Sequence, residues 1–102
     1  MEEKKYEILA EKKFKSRVVS ETVYGLNADY GVRENTMRLV RNGRALAIEW
    51  VVGSEAEPID EAEIGVVIAG KKVIDYDGVF EIPKEALELL KEYGLDVSEV
   101  EV

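Results

Sequence analysis

TMRLVRNGRALAIEWVV, residues 36–52, decides the fold. Asn42-Gly43 is the strongest short-range hairpin signal, because both central positions of a type I′ turn need a positive φ. A two-residue loop there sets Arg41 against Arg44, Leu39 against Leu46 and Met37 against Ile48. Met37, Leu39, Leu46, Ile48, Trp50 and Val52 then share one face. Arg38, Val40, Ala45, Ala47, Glu49 and Val51 take the other. A slip of one residue on one strand would scatter the apolar set, so its phase is well specified.

The same periodicity extends outward. Residues 63–76 read as a second hairpin turning at Gly70-Lys71, with Ile68 opposite Val73, Val67 opposite Ile74 and Tyr76 across from Gly65. Both faces of this hairpin are apolar, the pattern of strands covered on two sides. Pro83 to Tyr93 reads as a helix, with Ala86, Leu89, Leu90 and Tyr93 on one stripe and Lys84, Glu85, Glu88, Lys91 and Glu92 facing water. Gly94 suits the left-handed residue that ends it, and Leu95 can reach back to Leu90. Arg17 to Tyr24 alternates as a strand. Residues 5–14 fit a helical stripe (Tyr6, Leu9, Ala10, Phe14) and an imperfect strand alternation (Tyr6, Ile8, Ala10, Lys12, Phe14). The absence of a cap or glycine stop before the next extended stretch favours the strand. Residues 25–35, GLNADYGVREN, read as loop. Together these elements predict a single α+β domain over residues 1–102: an antiparallel β-sheet of four to six strands, a meander of hairpins, with one C-terminal α-helix packed on one face.

Composition narrows the chemistry. The 102 residues carry 22 acidic and 14 basic groups and neither Cys nor His. That closes thiolate and imidazole catalysis, disulfides, and metal sites built on these ligands. Four Ser, two Thr and nine Lys remain, none in a nucleophile-elbow, S-x-x-K or P-loop setting. No reaction and no cofactor is implied, so the chain reads as a non-enzymatic interaction or regulatory module. No stretch approaches the ~20 apolar residues of a membrane helix. The charged N-terminus lacks a signal-peptide core, so the reading is cytoplasmic. Seventeen Glu, three Asn and no Gln resemble the composition of hyperthermophile proteins.

Charge is unevenly spread. Residues 1–50 are net +2 and residues 51–102 net −10. Arg33, Arg38, Arg41 and Arg44 fall within twelve residues, and Glu55, Glu57, Asp60, Glu61 and Glu63 within nine, as an acidic loop around Pro58. These two sets are the candidate interaction surface, the Arg side meeting an acidic surface, either the Glu55–Glu63 stretch of another copy or a different protein. A nucleic-acid reading of the Arg hairpin, with Tyr24, Tyr30 or Trp50 stacking on bases, is opposed by a net charge of −8. A small-ligand-binding or enzymatic domain, with a pocket lined by Trp50, Tyr76, Asp75 and Asp77, is the alternative reading from another class. Asp75-Tyr76-Asp77-Gly78 also looks like part of a calcium loop, but Val73 and Lys84 stand where its first and last ligands belong.

Gly78 to Glu85, GVFEIPKE, resembles the Gly-to-Ile-Pro-Lys-Glu stretch of the AbrB-type swapped-hairpin transcription factors over eight residues. Val79 and Leu87 replace that family's usual basic residue and Arg, and the likeness reduces to a shared strand-to-helix entry with Pro at the first turn.

A homodimer through the sheet is the remaining expectation. One helix can cover only one face of an apolar sheet, and a 102-residue chain has little surface to bury alone. Were residues 5–14 helical, they could cover the second face and leave a monomer.

Overall fold

The computed structural model describes residues 6–21, 27–54 and 56–101. Five strands, β1 (Tyr6–Glu21), β2 (Asn27–Asn42), β3 (Ala45–Gly53), β4 (Pro58–Ala69) and β5 (Lys72–Asp77), precede one helix, α1 (Lys84–Glu92). The strands form one antiparallel meander in the order β1-β2-β3-β4-β5. The predicted α+β architecture is therefore present.

The faces of residues 36–52 follow the alternation, but the hairpin turns one residue later than an Asn42-Gly43 type I′ turn implies. Asn42 lies opposite Ala45, Leu39 opposite Ile48 and Met37 opposite Trp50. Gly43 has φ +64° and no non-glycine residue among those described has a positive φ, so the turn spans Gly43-Arg44 and needs only one left-handed residue. Asn42 is thereby spared the steric cost of that conformation. The register moves by one residue on each strand, which preserves every residue's face.

Residues 5–14, so far as they are described, are strand, continuous with the stretch that follows. The predicted loop at 25–35 is instead the first part of β2 from Asn27 onward. Its polar, glycine-bearing sequence hides a strand with an irregularity: Val19 pairs with Asp29 and Val18 with Gly31, leaving Tyr30 as the extra residue. Gly31, at φ +73°, absorbs the bulge. The Asp29 carboxylate accepts the Gly31 amide at 2.8 Å and pairs with Arg17, and these two bonds hold it below the usual carboxylate range. Tyr24 lies outside the described residues.

Two further bulges adjust phase. Leu9 is extra between the Ile8–Val40 and Ala10–Leu39 pairs, so both Leu9 and Ala10 pack against the core. Ile74 is extra between the Val67–Asp75 and Ile68–Val73 pairs. This corrects the expected register of the second hairpin: Tyr76 faces Val66, and Asp77 faces Gly65. The gain is that Val73 and Tyr76, three residues apart, both pack on the core side.

That core lies between the sheet and α1. Met37, Leu39, Leu46, Ile48, Ile64, Val66 and Val73 meet Ala86, Leu89, Leu90 and Val97, all buried. Pro83, at φ −64° and ψ 149°, is the residue just before the helix rather than its first. The helix ends as its sequence implies. Leu95 N–H donates to Leu90 O at 3.0 Å and Gly94 N–H to Lys91 O at 2.9 Å, with Gly94 at φ +101°. Tyr93 is more exposed than the stripe predicts, because the buried contacts end at Leu90. Lys12 on β1 reaches over to the helix, 3.1 Å from Glu92 and 3.8 Å from Glu88, and the hydrogen bond to Glu92 raises its pKa above the ordinary 10.5. Beyond the helix the chain returns to β5. Val73 N–H donates to Asp96 O and Asp96 N–H to Lys71 O, both at 2.8 Å, a parallel bridge that occupies part of that edge.

One glycine is fixed by space as well as conformation. A Cβ on Gly78, at φ +104°, would lie 2.2 Å from the Glu63 carbonyl oxygen, whereas one on Gly43 would meet nothing within 4 Å. Gly43→Ala is therefore expected to cost about 1–2 kcal/mol, the penalty of a left-handed alanine. Gly78→Ala is expected to cost clearly more, because the backbone of β4 must move. Parallel denaturant unfolding of the two variants checks the order.

Candidate interaction surface

The helix covers one side of the sheet, and among the described residues no element covers the opposite side, the open face. Cross-strand pairing arranges it in rows. Glu11, Arg38, Glu49 and Glu63 cross from β1 to β4. Lys13, Thr36, Val51 and Glu61 form the next row. Ile8, Val40, Ala47, Gly65 and Asp77 cross all five strands. Thr36 and Val40, in the middle, are 3% and 6% exposed although α1 lies on the other side. Around them Ile8, Val32, Val67 and Val19 stand between 46% and 66% exposed. By alternation Lys15 and Arg17 continue the β1 side of this face, next to Glu34 and Val32.

Charge across this face is graded. Lys13, Lys15 and Arg17 mark the β1 side, while Glu61 and Glu63 mark β4 and Asp75 and Asp77 mark β5. Glu49 lies directly opposite Glu63, a like-charge pair that a sheet holds at some cost. With Val51 and Glu61 they line an open groove of about 430 Å³. Arg38 Nε donates to Glu11 Oε2 at 2.6 Å, tying β1 to β2. No group of three or more carboxylates among the described residues is arranged to hold a metal ion.

The residues singled out from sequence divide among several places. Of the arginines, Arg38 stands on the open face. Arg41 and Arg44 are exposed at the β2–β3 tip. Arg33, eight residues up β2 from Arg41 and therefore about 27 Å away, donates from Nε to Tyr30 O at 2.7 Å. Glu61 and Glu63 are on the open face. They and Asp60 belong to β4, so the acidic loop around Pro58 is in large part strand. Asp60 caps the Glu61 amide at 2.9 Å, and Glu57 shares a groove of about 570 Å³ with Arg33, Tyr30 and Ile59. Glu55 lies outside the described residues. Of the eight described, Arg38, Glu61 and Glu63 share the open face, and Arg33 and Glu57 share a separate groove. Lys13, Lys15, Glu49, Thr36 and Val40 complete the face, and the odd-numbered cations at 13, 15 and 17 were its signal once residues 5–14 are taken as strand.

The four residues of the alternative pocket do not converge. Trp50 and Tyr76 are on the helix side, where Tyr76 shares the row of Leu46, four residues along β3 from Trp50. Asp75 and Asp77 lie with Val67 and Gly65 on the open side, and each accepts the next residue's amide, at 2.8 and 2.9 Å. Trp50 instead closes one end of the core. Its indole N–H donates to Asn35 Oδ1 at 2.9 Å, and Asn35 Nδ2 donates to Ser16 Oγ at 2.8 Å and Arg33 O at 3.2 Å. Asn35 is 1% exposed, and no buried side-chain polar atom among the described residues lacks a partner.

The chain matches no protein-family model, no curated protein and no solved structure in comparisons with known proteins. Among the described residues no helix is long and apolar enough to cross a membrane.

Replacing Asn35 with Ala would strip Trp50 of its acceptor and Ser16 of its donor. The expected loss is about 1–3 kcal/mol, with a shift in Trp50 fluorescence as the indole N–H seeks water. Urea unfolding followed by fluorescence reads both.

Proposed function

We propose that the protein is a non-enzymatic interaction module that works as a homodimer through the open face of its sheet. The observation that carries this reading is a five-stranded sheet with, among the described residues, a helix on one side only. Its other side presents Ile8, Val32 and Val67 around a buried middle. Exposed apolar side chains interleaved with charge on an uncovered sheet face suit association with a partner. Because β1 is a strand, it lies in the plane of the sheet and does not cover this side. The shape agrees: the radius of gyration is 14.9 Å, against about 13 Å for a compact chain of this length, and the body is 44 × 42 × 23 Å. Size supplies the rest. Five strands about 4.8 Å apart, paired over about nine residues, offer roughly 700 Å² of face, close to the ~800 Å² per partner of a stable complex.

Light scattering on the purified protein tests the reading. A mass near twice 11.5 kDa is expected at micromolar concentration, falling toward 11.5 kDa on dilution. Val67 is half-exposed in the protomer, so Val67→Asp leaves the core intact while burying an unpaired charge in the contact. It is expected to lower the mass to that of one chain with circular dichroism unchanged. A wild-type mass of 11.5 kDa at all concentrations overturns the homodimer.

A further inference from the structure

The charge rows fix how two copies would meet. We infer that the open faces pack about a two-fold axis parallel to the strands and above the seam between β2 and β3. This rests on the homodimer reading and specifies its geometry. Two sheets pressed together can be related by an axis along the strands or across them. An axis across the strands lays β1 over the partner's β1, so that Lys13, Lys15 and Arg17 of the two copies crowd together, as do Glu61 and Glu63. An axis along the strands reverses the strand order of the partner, and β1 lies over its β4.

Placed above the β2–β3 seam, that axis matches row to row. Lys13 meets the partner's Glu61 and Arg38 meets the partner's Glu49, while Thr36 and Val40 pack on the partner's Val51 and the partner's Ala47. Arg38 and Glu49, on the two strands beside the axis, then lie at the centre of the contact between the Thr36 and Val40 rows, while Lys13 and Glu61 lie on its flanks. Each opposite-charge meeting occurs twice by symmetry. One like-charge meeting arises, Glu11 with the partner's Glu63, and Glu11 is already bound to Arg38 within its own chain. The arrangement also answers the Glu49–Glu63 juxtaposition in the protomer, since a cation from the partner approaches that acidic groove. Aligned packing of two sheets, strands within about 30° of one another, is the common geometry of sandwiches.

Charge reversal tests the geometry separately from dimerisation. One variant carries Lys13→Glu with Lys15→Glu, and a second carries Glu61→Lys with Glu63→Lys. Alone, each sets like charges against like across the axis and is expected to weaken the homodimer at least tenfold by analytical ultracentrifugation. Mixed in equal amounts they restore opposite charges on both flanks. A one-to-one heterodimer is then expected to dominate the native mass spectrum, which also shows that both variants are folded. Raising the salt concentration should erode that preference. If the wild type is dimeric but both variants dimerise as tightly as it does and mix at random, the strand-parallel geometry is wrong and the homodimer stands. A monomeric wild type removes both.

Discussion

The contact of Ala86, Leu89 and Leu90 with Met37, Leu39 and Ile48 is the constraint on which the rest of the molecule depends. A nine-residue helix is about 13.5 Å long and lies against a sheet of five strands. It can dry one side of that sheet and no more. Every element is phased to put its best apolar residues beneath the helix. What remains above the opposite side is whatever the alternation leaves there.

The bulges show how strictly this phase is kept. At Leu9 and at Ile74 the chain spends an extra residue so that neighbouring side chains, Leu9 with Ala10 and Val73 with Tyr76, reach the same core. At Tyr30 the extra residue turns the far end of β2, held by Gly31 and the Asp29 carboxylate. Once α1 has stopped at Gly94, the chain folds back, buries Val97 and bridges to β5 through Asp96. Asp96 accepts the Ser98 amide, which keeps its pKa low, so the return is itself held by a charged turn. The strand edge at β5 is thus partly occupied, while β1 carries alternating charge and a bulge, the usual defences of an exposed edge.

On the open side the same alternation sorts charge instead of apolar area. Because β1 carries cations on its outward positions and β4 carries carboxylates, the sheet acquires a gradient at right angles to its strands. Such a gradient has a direction, and a two-fold contact can either oppose it to itself or align it with itself. Surface pairs of this kind contribute little energy one by one but discriminate strongly between orientations. The two central strands would supply the area of contact and the charged flanks its orientation.

By itself the sequence determined the faces of residues 37–52, the helix with its glycine stop, and a meander of hairpins. These are local properties: alternation with period two, a stripe with period 3.6, and turn chemistry at Gly43, Gly70 and Gly94 survive a register error that keeps parity. Three things were decided only in three dimensions. Residues 27–35 became strand because β1 pairs with them, which outweighs a loop-like composition. The second hairpin's register was set by a bulge whose benefit, bringing Val73 and Tyr76 to one core, appears only when the helix is in place. And four arginines within twelve residues did not make a patch, because a strand advances about 3.4 Å per residue and alternates its sides, so neighbours in sequence part company while Lys13 and Glu61, 48 residues apart in sequence, come to share a row.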